Sequence, residues 1–287
     1  MVRYIRAADY VLKVDHDGGP GKGTFLNDVF FDYEEDEDAF GVTYTIPYGI
    51  RAIGSTAFYE CETLKKVIMP DTVDRIDNSA FQMCTNLETV VFSKNLTNMG
   101  ADVFARCKNL KNVELPNSLS AIGSNDFYGC ISLRTITIPR SVSRILPKAF
   151  NKCTNLRSIE FKSLNTQLLP HAFKDCTSIR TIKFPNLTLD VSYTDGVSNF
   201  TDAIQRCMYI IRDGDYSGVL SLLMDGFPFA LDLIFELAKE DDAADQFIYD
   251  NKDKLLEFAS DYGRTDMKSR LLDMAQDDFN KGGSMRL

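Results

Sequence analysis

Six of the seven cysteines in this chain recur at a fixed spacing of 23 residues: Cys61, Cys84, Cys107, Cys130, Cys153 and Cys176. Cysteines ligate metal ions, form disulfides or act as nucleophiles, so the periodic cysteines are candidates for three kinds of chemistry. Zinc sites use closely spaced cysteines and histidines. No Cys-x-x-Cys pair occurs, however, and the two histidines, His16 and His171, fit no zinc pattern. The sequence therefore predicts no metal site.

Nucleophilic catalysis finds equally little support. A serine–histidine–acid site would require His16 or His171, and we expect His171, in the segment LPHAF, to be exposed on the convex side of its coil. Cys207 lies in IQRCMYII without a nearby histidine, and its apolar neighbours predict a buried thiol. Paired carboxylates such as Asp241 and Asp242 are typical of helix ends. We expect no enzyme activity and no cofactor; the open alternative is an unrecognised enzyme site in the C-terminal helices.

The cysteines mark a longer repeated unit. Phenylalanine lies three residues before each periodic cysteine, leucine or isoleucine lies three residues after it, and further apolar columns follow at the sixth and eighth positions. Tyr44 and Ile46 fit one period before Val67 and Met69, so we expect about seven parallel rungs ending at Phe184. One coil cannot bury its apolar side chains alone, whereas stacked coils share a core, so this periodicity predicts a solenoid. A second apolar column runs through Ile53, Ile76, Met99, Ile122, Ile145 and Leu168.

The unit A-F-x-x-C-x-x-L-x-x-V-x-F-P resembles the BspA-like class of leucine-rich repeats over about residues 42–185. The resemblance implies that outward strand positions line a concave face. We expect each cysteine to fill a small buried slot that a larger side chain would overpack. Disulfides between the cysteines of neighbouring coils are the alternative. Rungs about 5 Å apart permit such bonds by distance, but the parallel side chains would have to turn toward each other. Asn165 interrupts an apolar column, which predicts a local irregularity around Ser163–Leu169.

The predicted fold class is an α+β repeat protein, a leucine-rich-repeat solenoid between two flanking parts. Residues 1–41 form an N-terminal β cap with strands in YVLKV and DVFFDY, residues 42–186 form the solenoid, residues 187–198 a linker, and residues 199–287 an acidic all-helical domain. Asp213-Gly214 and Asp225-Gly226 are turn signals in that domain. Segments 210–226 and 255–275 weakly resemble ankyrin helix pairs, but both lack the T-P-L-H element, and plain helical hairpins describe them equally well.

Charge is distributed unevenly along the chain. The net charge is −9, divided into −6 over residues 1–46, +7 over residues 47–185 and −10 over residues 186–287. The negative total argues against bulk affinity for nucleic acid. The sequence has no run of 18 apolar residues, so it predicts no membrane span. The N-terminus shows no secretory signal, so we expect a cytoplasmic location with reduced thiols. Delivery into a host cell, or loss of a signal, stays open.

The positive charge of the solenoid is ordered. One position after each strand leucine, the column reads Lys65, Glu88, Lys111, Arg134, Arg157, Arg180. The next column is rich in threonine and begins with Lys66, and a third contains Ile68, Val91 and Lys183. The resemblance assigns these positions to the concave face. The predicted protein-binding residues are therefore Lys65, Lys66, Ile68, Val91, Lys111, Arg134, Arg157, Arg180 and Lys183.

The predicted function is a non-catalytic protein–protein interaction module that binds an acidic protein partner through this basic face. The column can also be a solvated strand edge that resists aggregation. It can contact the acidic C-terminal domain of the same chain. The chain can be an effector or adhesin-type binding protein of a host-associated microbe or virus, or a scaffold that self-associates through open ends. No membrane contact is expected, and nucleic acid is disfavoured because no aromatic residues interleave the cations.

Overall fold

The computed structural model describes residues 5–6, 25–26, 30–31, 42–192 and 200–283. The chain divides into two compact units, which are Met1–Asn186 with Ser198–Asp202, and Leu187–Val197 with Ala203–Leu287. The first unit is a parallel-strand solenoid. The second unit contains most of the helical sequence.

In the described part of residues 1–41, three short strands precede the solenoid: β1 (Ile5–Arg6), β2 (Phe25–Leu26) and β3 (Phe30–Phe31). β1 and β3 pair antiparallel, with Ile5 opposite Phe31. β3 lies within the predicted strand segment DVFFDY, whereas the segment YVLKV lies outside the described residues. β2 pairs in parallel with a solenoid strand, placing Leu26 opposite Ile53, so it extends one solenoid sheet by a rung.

The solenoid strands form two columns. The first column has the predicted seven rungs, which are β4 (Val42–Thr45), β6 (Leu64–Ile68), β8 (Thr89–Val91), β10 (Asn112–Val113), β12 (Thr135–Ile138), β14 (Ser158–Phe161) and β16 (Thr181–Phe184). Except between β10 and β12, neighbours pair in parallel and in register with the repeat; Val67 lies opposite Val90, and Ile159 opposite Ile182. The alternation of buried and exposed residues along these strands places the apolar columns in one shared core.

The second apolar column is also a column of strands, which the sequence did not predict. Its members are β5 (Ala52–Ile53), β7 (Arg75–Ile76), β9 (Asn98–Met99), β11 (Ala121–Ile122), β13 (Arg144–Ile145) and β15 (Gln167–Leu168). Each strand is only two residues long, and its second, apolar residue is buried in four strands and half-buried at Met99 and Leu168. Two strands per coil hold successive coils together on both sides.

Stacked phenylalanine rings run through the core. The rings of Phe58, Phe81, Phe104, Phe127, Phe150 and Phe173 are nearly parallel, with neighbouring centroids 4.8–5.6 Å apart. The widest spacing, 5.6 Å, separates Phe104 from Phe127. At the same level both strand columns are interrupted, between β10 and β12 in the first and between β9 and β11 in the second. We call this boundary between two coils the seam.

The coil containing Asn165 is irregular, as predicted. Asn165 is exposed, and the neighbouring Thr166 is buried in its place. A buried hydroxyl needs a partner, and Thr166 Oγ1 donates to the Val142 carbonyl in the preceding coil at 2.9 Å. The irregularity ends before β15, because Gln167 lies opposite Arg144 in the regular register.

The turns of the solenoid repeat a left-handed backbone conformation twice in every coil. Glycine occupies only one of these positions, Gly129, although φ is positive at all of them. Non-glycine residues pay a steric cost there because Cβ approaches the following carbonyl oxygen. Positive φ angles of 56–70° occur at Thr56, Ser79, Asp102, Asn125, Lys148 and His171, and at Glu60, Met83, Arg106, Gly129, Lys152 and Asp175.

The second unit begins with β17 (Leu187–Asp190), inside the span predicted to be a linker. Within residues 200–283, six helices follow: α1 (Phe200–Asp213), α2 (Ser217–Met224), α3 (Phe229–Leu237), α4 (Asp242–Asp250), α5 (Lys252–Asp261) and α6 (Thr265–Gly283). Gly214 and Gly226 have positive φ and follow the ends of α1 and α2, so both predicted turn signals are confirmed. β17 packs against α3, and consecutive helices from α2 to α6 contact each other. The likeness to ankyrin helix pairs stays a prediction. Within the described residues, no helix is both long enough and apolar enough to cross a membrane.

A buried ion pair connects α3 with the turn before α6. Arg264 is only 7% exposed, and its two terminal nitrogens each lie 2.7 Å from an oxygen of Asp232. Asp266 accepts from the same guanidinium at 2.9 Å. These hydrogen bonds raise the pKa of Arg264 above its usual range, so the guanidinium is charged at every practical pH.

Candidate protein-binding face

The cation ladder consists of Lys65, Lys111, Arg134, Arg157 and Arg180. Each ladder residue directly follows the buried leucine or isoleucine that begins its coil's strand segment. The backbone is fixed from coil to coil, because the Arg157 N–H donates to the Arg134 carbonyl at 2.7 Å and the Arg180 N–H donates to the Arg157 carbonyl at 2.9 Å. Neighbouring parallel strands lie about 4.8 Å apart, so successive rungs present their cations at that spacing.

All five ladder side chains are exposed, as the sequence predicted. Lys183 and Val91 are also exposed, Val91 with 41% of its surface accessible. Lys66 and Ile68 are partly buried. The repeat register brings the nine predicted residues onto one outward face of the first strand column, and their role in binding stays a prediction.

Glu88 interrupts the cation ladder with a negative charge. It occupies the rung between Lys65 and Lys111, and its carboxylate oxygens lie 3.9 Å from Lys65 Nζ and 3.1 Å from Lys111 Nζ. The three side chains are one third to one half exposed, so these ion pairs add little stability. They do reduce the positive potential at this end of the ladder, because one anion faces two cations.

The other end of the ladder consists of three consecutive arginines. We call Arg134, Arg157 and Arg180 the arginine triad. In the described part of the chain, Arg134 and Arg157 make no ion pair with an acidic side chain, and one Arg180 terminal nitrogen donates to the Ile179 carbonyl at 3.1 Å. Guanidinium groups bind carboxylates through two parallel hydrogen bonds, so Arg134 and Arg157 each offer a directional site for an anion.

A lane of hydroxyl side chains runs beside the triad. Thr135, Ser158 and Thr181 occupy the adjacent column, and their small side chains leave the arginines accessible. The next column contains Glu160, whose carboxylate accepts from Lys162 Nζ at 2.5 Å and from Thr137 Oγ1 at 3.1 Å. The Lys162 hydrogen bond lowers the pKa of Glu160, which is therefore ionised and locally neutralised by lysine.

The periodic cysteines are buried core residues, as predicted. Cys107 Sγ donates to the Phe81 carbonyl of the preceding coil at 3.0 Å, and Cys84, Cys130, Cys153 and Cys176 repeat this contact at 2.9–3.2 Å. Five of the six are fully buried, and Cys176 in the last coil is partly exposed. Burial raises the pKa of Cys61 to about 11 and that of Cys207 to about 12, so these groups are thiols at neutral pH. All seven cysteines are free.

Asp126 is a buried carboxyl group that the sequence pattern did not single out. It occupies the column that holds alanine or valine in the other coils, and it is fully buried at the seam. Its two carboxylate oxygens accept from the Gly123 N–H at 2.6 Å and from the Val103 N–H at 3.2 Å. Burial raises the pKa of Asp126 to about 8. A Cβ at Gly123 would lie 1.9 Å from the Gly100 carbonyl oxygen, so only glycine fits this close approach.

His171, His16 and Asp241 are the other residues considered for catalysis. His171 is exposed, as predicted, and His16 lies outside the described residues. Asp241 caps α4, because its Oδ1 accepts from the Ala243 N–H at 2.9 Å, and the Tyr216 hydroxyl donates to its other oxygen. Across residues 42–192 and 200–283, no three His, Cys, Asp or Glu side chains lie close enough to hold a metal ion.

Comparison with solved structures finds other leucine-rich repeat proteins. A leucine-rich repeat protein from T. pallidum is 26% identical in sequence and superposes with a TM-score of 0.50, covering 62% of this chain and 79% of that one. A leucine-rich cell surface protein from Faecalibacterium prausnitzii gives 20% identity and a TM-score of 0.33, over 50% of this chain and 60% of its own. A Bacteroides ovatus leucine-rich repeat protein gives 20% and 0.31, over 50% and 55%. No curated protein matches the sequence.

The family comparison covers the solenoid. Six copies of the BspA type leucine-rich repeat region match residues 42–110 and 85–194, which together make up more than half of the chain. The matched span contains every rung of the first strand column, all six periodic cysteines and the whole cation ladder. The chain belongs to the BspA-type leucine-rich repeat family.

Proposed function

We propose that this protein is a non-catalytic interaction module that binds an acidic protein partner through the outward face of its first strand column. Proteins built from leucine-rich repeats generally serve as interaction or surface modules, which supports the class of function. The observation that carries the acidic partner is the arginine triad, three exposed guanidinium groups on consecutive rungs of a rigid stack. Aligned charges of this kind speed association and fix register.

We further propose that the protein acts in the cytoplasm. Seven free cysteines, six of them fully buried, suit a reducing compartment where thiols persist. The acidic residues of the same chain, concentrated in residues 186–287, provide an intramolecular alternative partner. Whether the partner is a separate protein or the acidic segment of the same chain, the ladder cations must bind its carboxylates. A test with the whole chain distinguishes both proposals from the interpretation of the ladder as a solvated strand edge.

A charge-reversed bait tests the binding face. The variant replaces Lys65, Lys111, Arg134, Arg157 and Arg180 with glutamate, and we expect it to fold because all five side chains are exposed. A control of equal charge replaces five exposed cations outside the first strand column with glutamate, namely Lys94, Arg106, Arg144, Lys148 and Lys174. Unfolding curves first establish that the three baits are folded.

The decisive observation is a partner captured by the wild type and the control, lost by the ladder variant, and weakened by added salt. Equal capture by all three folded baits would contradict the proposed face. If the acidic residues 186–287 occupy the ladder, limited proteolysis of the ladder variant should release this segment faster than the same treatment of the control.

A further inference from the structure

We infer that the seam is a joint at which the solenoid opens into two blocks, residues 42–119 and residues 120–190, and that ionisation of Asp126 drives this opening. Such a joint is independent of the proposed function, because it requires no partner. Three features of the seam support it: the interrupted strand pairing, the contacts of the Asp126 carboxyl group and the burial of that group.

Strand pairing between successive coils is missing at the seam. At every other level of the solenoid both strand columns join neighbouring coils, whereas at the seam neither column does. The turns stay connected, because three N–H groups of one coil donate to carbonyls of the next at 2.6–2.8 Å; we call these N–H groups, of Asp102, Phe104 and Arg106, the seam amides. The two blocks are therefore joined without the paired strands that hold the other coils together.

The Asp126 carboxyl group takes the place of a backbone contact between the blocks. In other coils, the N–H groups of Gly100 and Leu146 donate to a carbonyl of the preceding coil at 2.8 and 2.9 Å. At the seam, the equivalent Gly123 N–H donates to Asp126 at 2.6 Å instead. The other carboxyl oxygen accepts from the Val103 N–H on the far side of the seam at 3.2 Å. One side chain therefore bridges the two blocks where the backbone does not.

Burial makes the closed seam favour the protonated form of this carboxyl group. Asp126 is fully buried, and the loss of hydration raises its pKa to about 8, although the two N–H donors favour the carboxylate. The titratable groups that face it are the Asp102 carboxylate of the preceding coil, which also disfavours ionisation, and the Cys130 thiol of its own coil. In the following coil, Ala149 occupies the equivalent position. Within residues 42–192, no lysine or arginine pairs with Asp126.

Opening of the seam is linked to release of this proton. Water reaches the carboxyl group in the open seam, so its pKa returns toward the ordinary 3.8 and the proton passes to water. The closed seam retains the proton up to about pH 8, so rising pH favours the open seam by up to about tenfold per pH unit between about pH 4 and 8. The cation ladder crosses the seam between Lys111 and Arg134, so opening changes the distance between these two cations.

Hydrogen exchange of the full-length chain, read by peptide mass spectrometry, tests the joint. The matched control amides occupy the same repeat positions one coil later, where both strand columns are paired; they belong to Asn125, Phe127 and Gly129 and donate at 2.7–3.2 Å. After correction for the intrinsic pH dependence of exchange, the seam amides at pH 8 should be at least about tenfold less protected than the control amides. The difference should be smaller at pH 6, where the seam stays closed.

Two variants isolate the role of the carboxyl group. Asp126→Ala introduces the residue that four other coils carry at this position, and Asp126→Asn keeps the size of the side chain without its titration. In both variants the difference between seam and control amides should no longer depend on pH, and in Asp126→Ala the two sets should be equally protected. Equal protection of both sets in the wild type at pH 8 would overturn the joint. Seam amides that show the wild-type pH dependence in both variants would overturn the role of Asp126.

Discussion

The carboxylate of Asp126 accepts a hydrogen bond from the backbone N–H of Val103 in the preceding coil, at 3.2 Å. This contact crosses the seam, where both strand columns are interrupted and the phenylalanine spacing is widest. The same carboxyl group accepts from the Gly123 N–H, whose equivalents Gly100 and Leu146 donate to a carbonyl of the preceding coil, so it replaces one backbone hydrogen bond between coils. Its environment includes the Asp102 carboxylate, which also disfavours ionisation, and the buried Cys130.

The stability of the solenoid should fall as pH rises from about 4 to about 8. Burial raises the pKa of Asp126 to about 8 from the ordinary 3.8, so the folded state retains a proton that the unfolded chain releases. The stabilisation is complete below pH 4 and lost as pH passes 8, with a slope of at most about 1.4 kcal/mol per pH unit. Denaturant unfolding at pH 5, 7 and 9 measures this slope, and Asp126→Asn should remove the contribution. Parallel pH curves for wild type and variant would contradict the expectation.

Thr56→Gly should stabilise the protein. Thr56 is a β-branched residue with φ of 60°, and its strain of about 1–2 kcal/mol exceeds the entropic cost of glycine, about 0.5–1 kcal/mol. We expect a net gain of up to about 1 kcal/mol in the free energy of unfolding, measured by chemical denaturation. Thr177→Gly is the matched control, an exposed threonine without positive φ, and it should lose stability. Losses at both positions would disprove the role of strain.

Cys176 should be the first thiol modified in the native protein. It is partly exposed, whereas the other six cysteines are fully buried, and burial raises the pKa of Cys61, Cys130 and Cys207 above the ordinary value for a thiol. Brief alkylation at neutral pH followed by peptide mass spectrometry should label Cys176 alone, and treatment in denaturant should label all seven. Equal native labelling of Cys107 would show that the core opens rapidly.

Removing one partner of the buried ion pair should destabilise the helical unit strongly. Arg264→Met leaves Asp232 without its bidentate partner in a mostly buried site, which should cost about 3–5 kcal/mol. Replacing both partners, Arg264→Met with Asp232→Leu, should recover most of that loss because no charge is left unpaired. Thermal unfolding of the wild type, single and double variants gives the comparison. A double variant as unstable as the single one would show that the cost arises from packing.

The solenoid could be predicted because its pattern is strictly repeated. The Leu64-to-Met69 spacing identifies a strand in every coil, and the phenylalanine and cysteine columns place the core. The second strands escaped prediction because a two-residue strand such as Ala52–Ile53 contributes one apolar position, and one position per period shows no alternation. Asn165 was recognisable as a departure, but only the structure shows that Thr166 replaces it.

The individual polar contacts could not be predicted. Asp126 occupies an alanine column, and a sequence pattern records the exception without showing that both oxygens find backbone donors. Arg264 and Asp232 are 32 residues apart in a region without a repeat, so nothing in the sequence pairs them. The pairing of Glu88 with Lys65 and Lys111 follows from register alone, yet its effect on the ladder becomes apparent only when the distances are known.

The cysteine contact has a consequence for how such chains change length over generations. Each periodic thiol from Cys84 to Cys176 bonds a carbonyl 26 residues earlier, so each of these coils brings a donor for its predecessor and presents an acceptor to its successor. A duplicated stretch of 69 nucleotides, one coil, therefore enters the gene with its core contacts already matched on both sides. Lineages can gain or lose whole coils by recombination, and the length of the basic surface changes in the same steps.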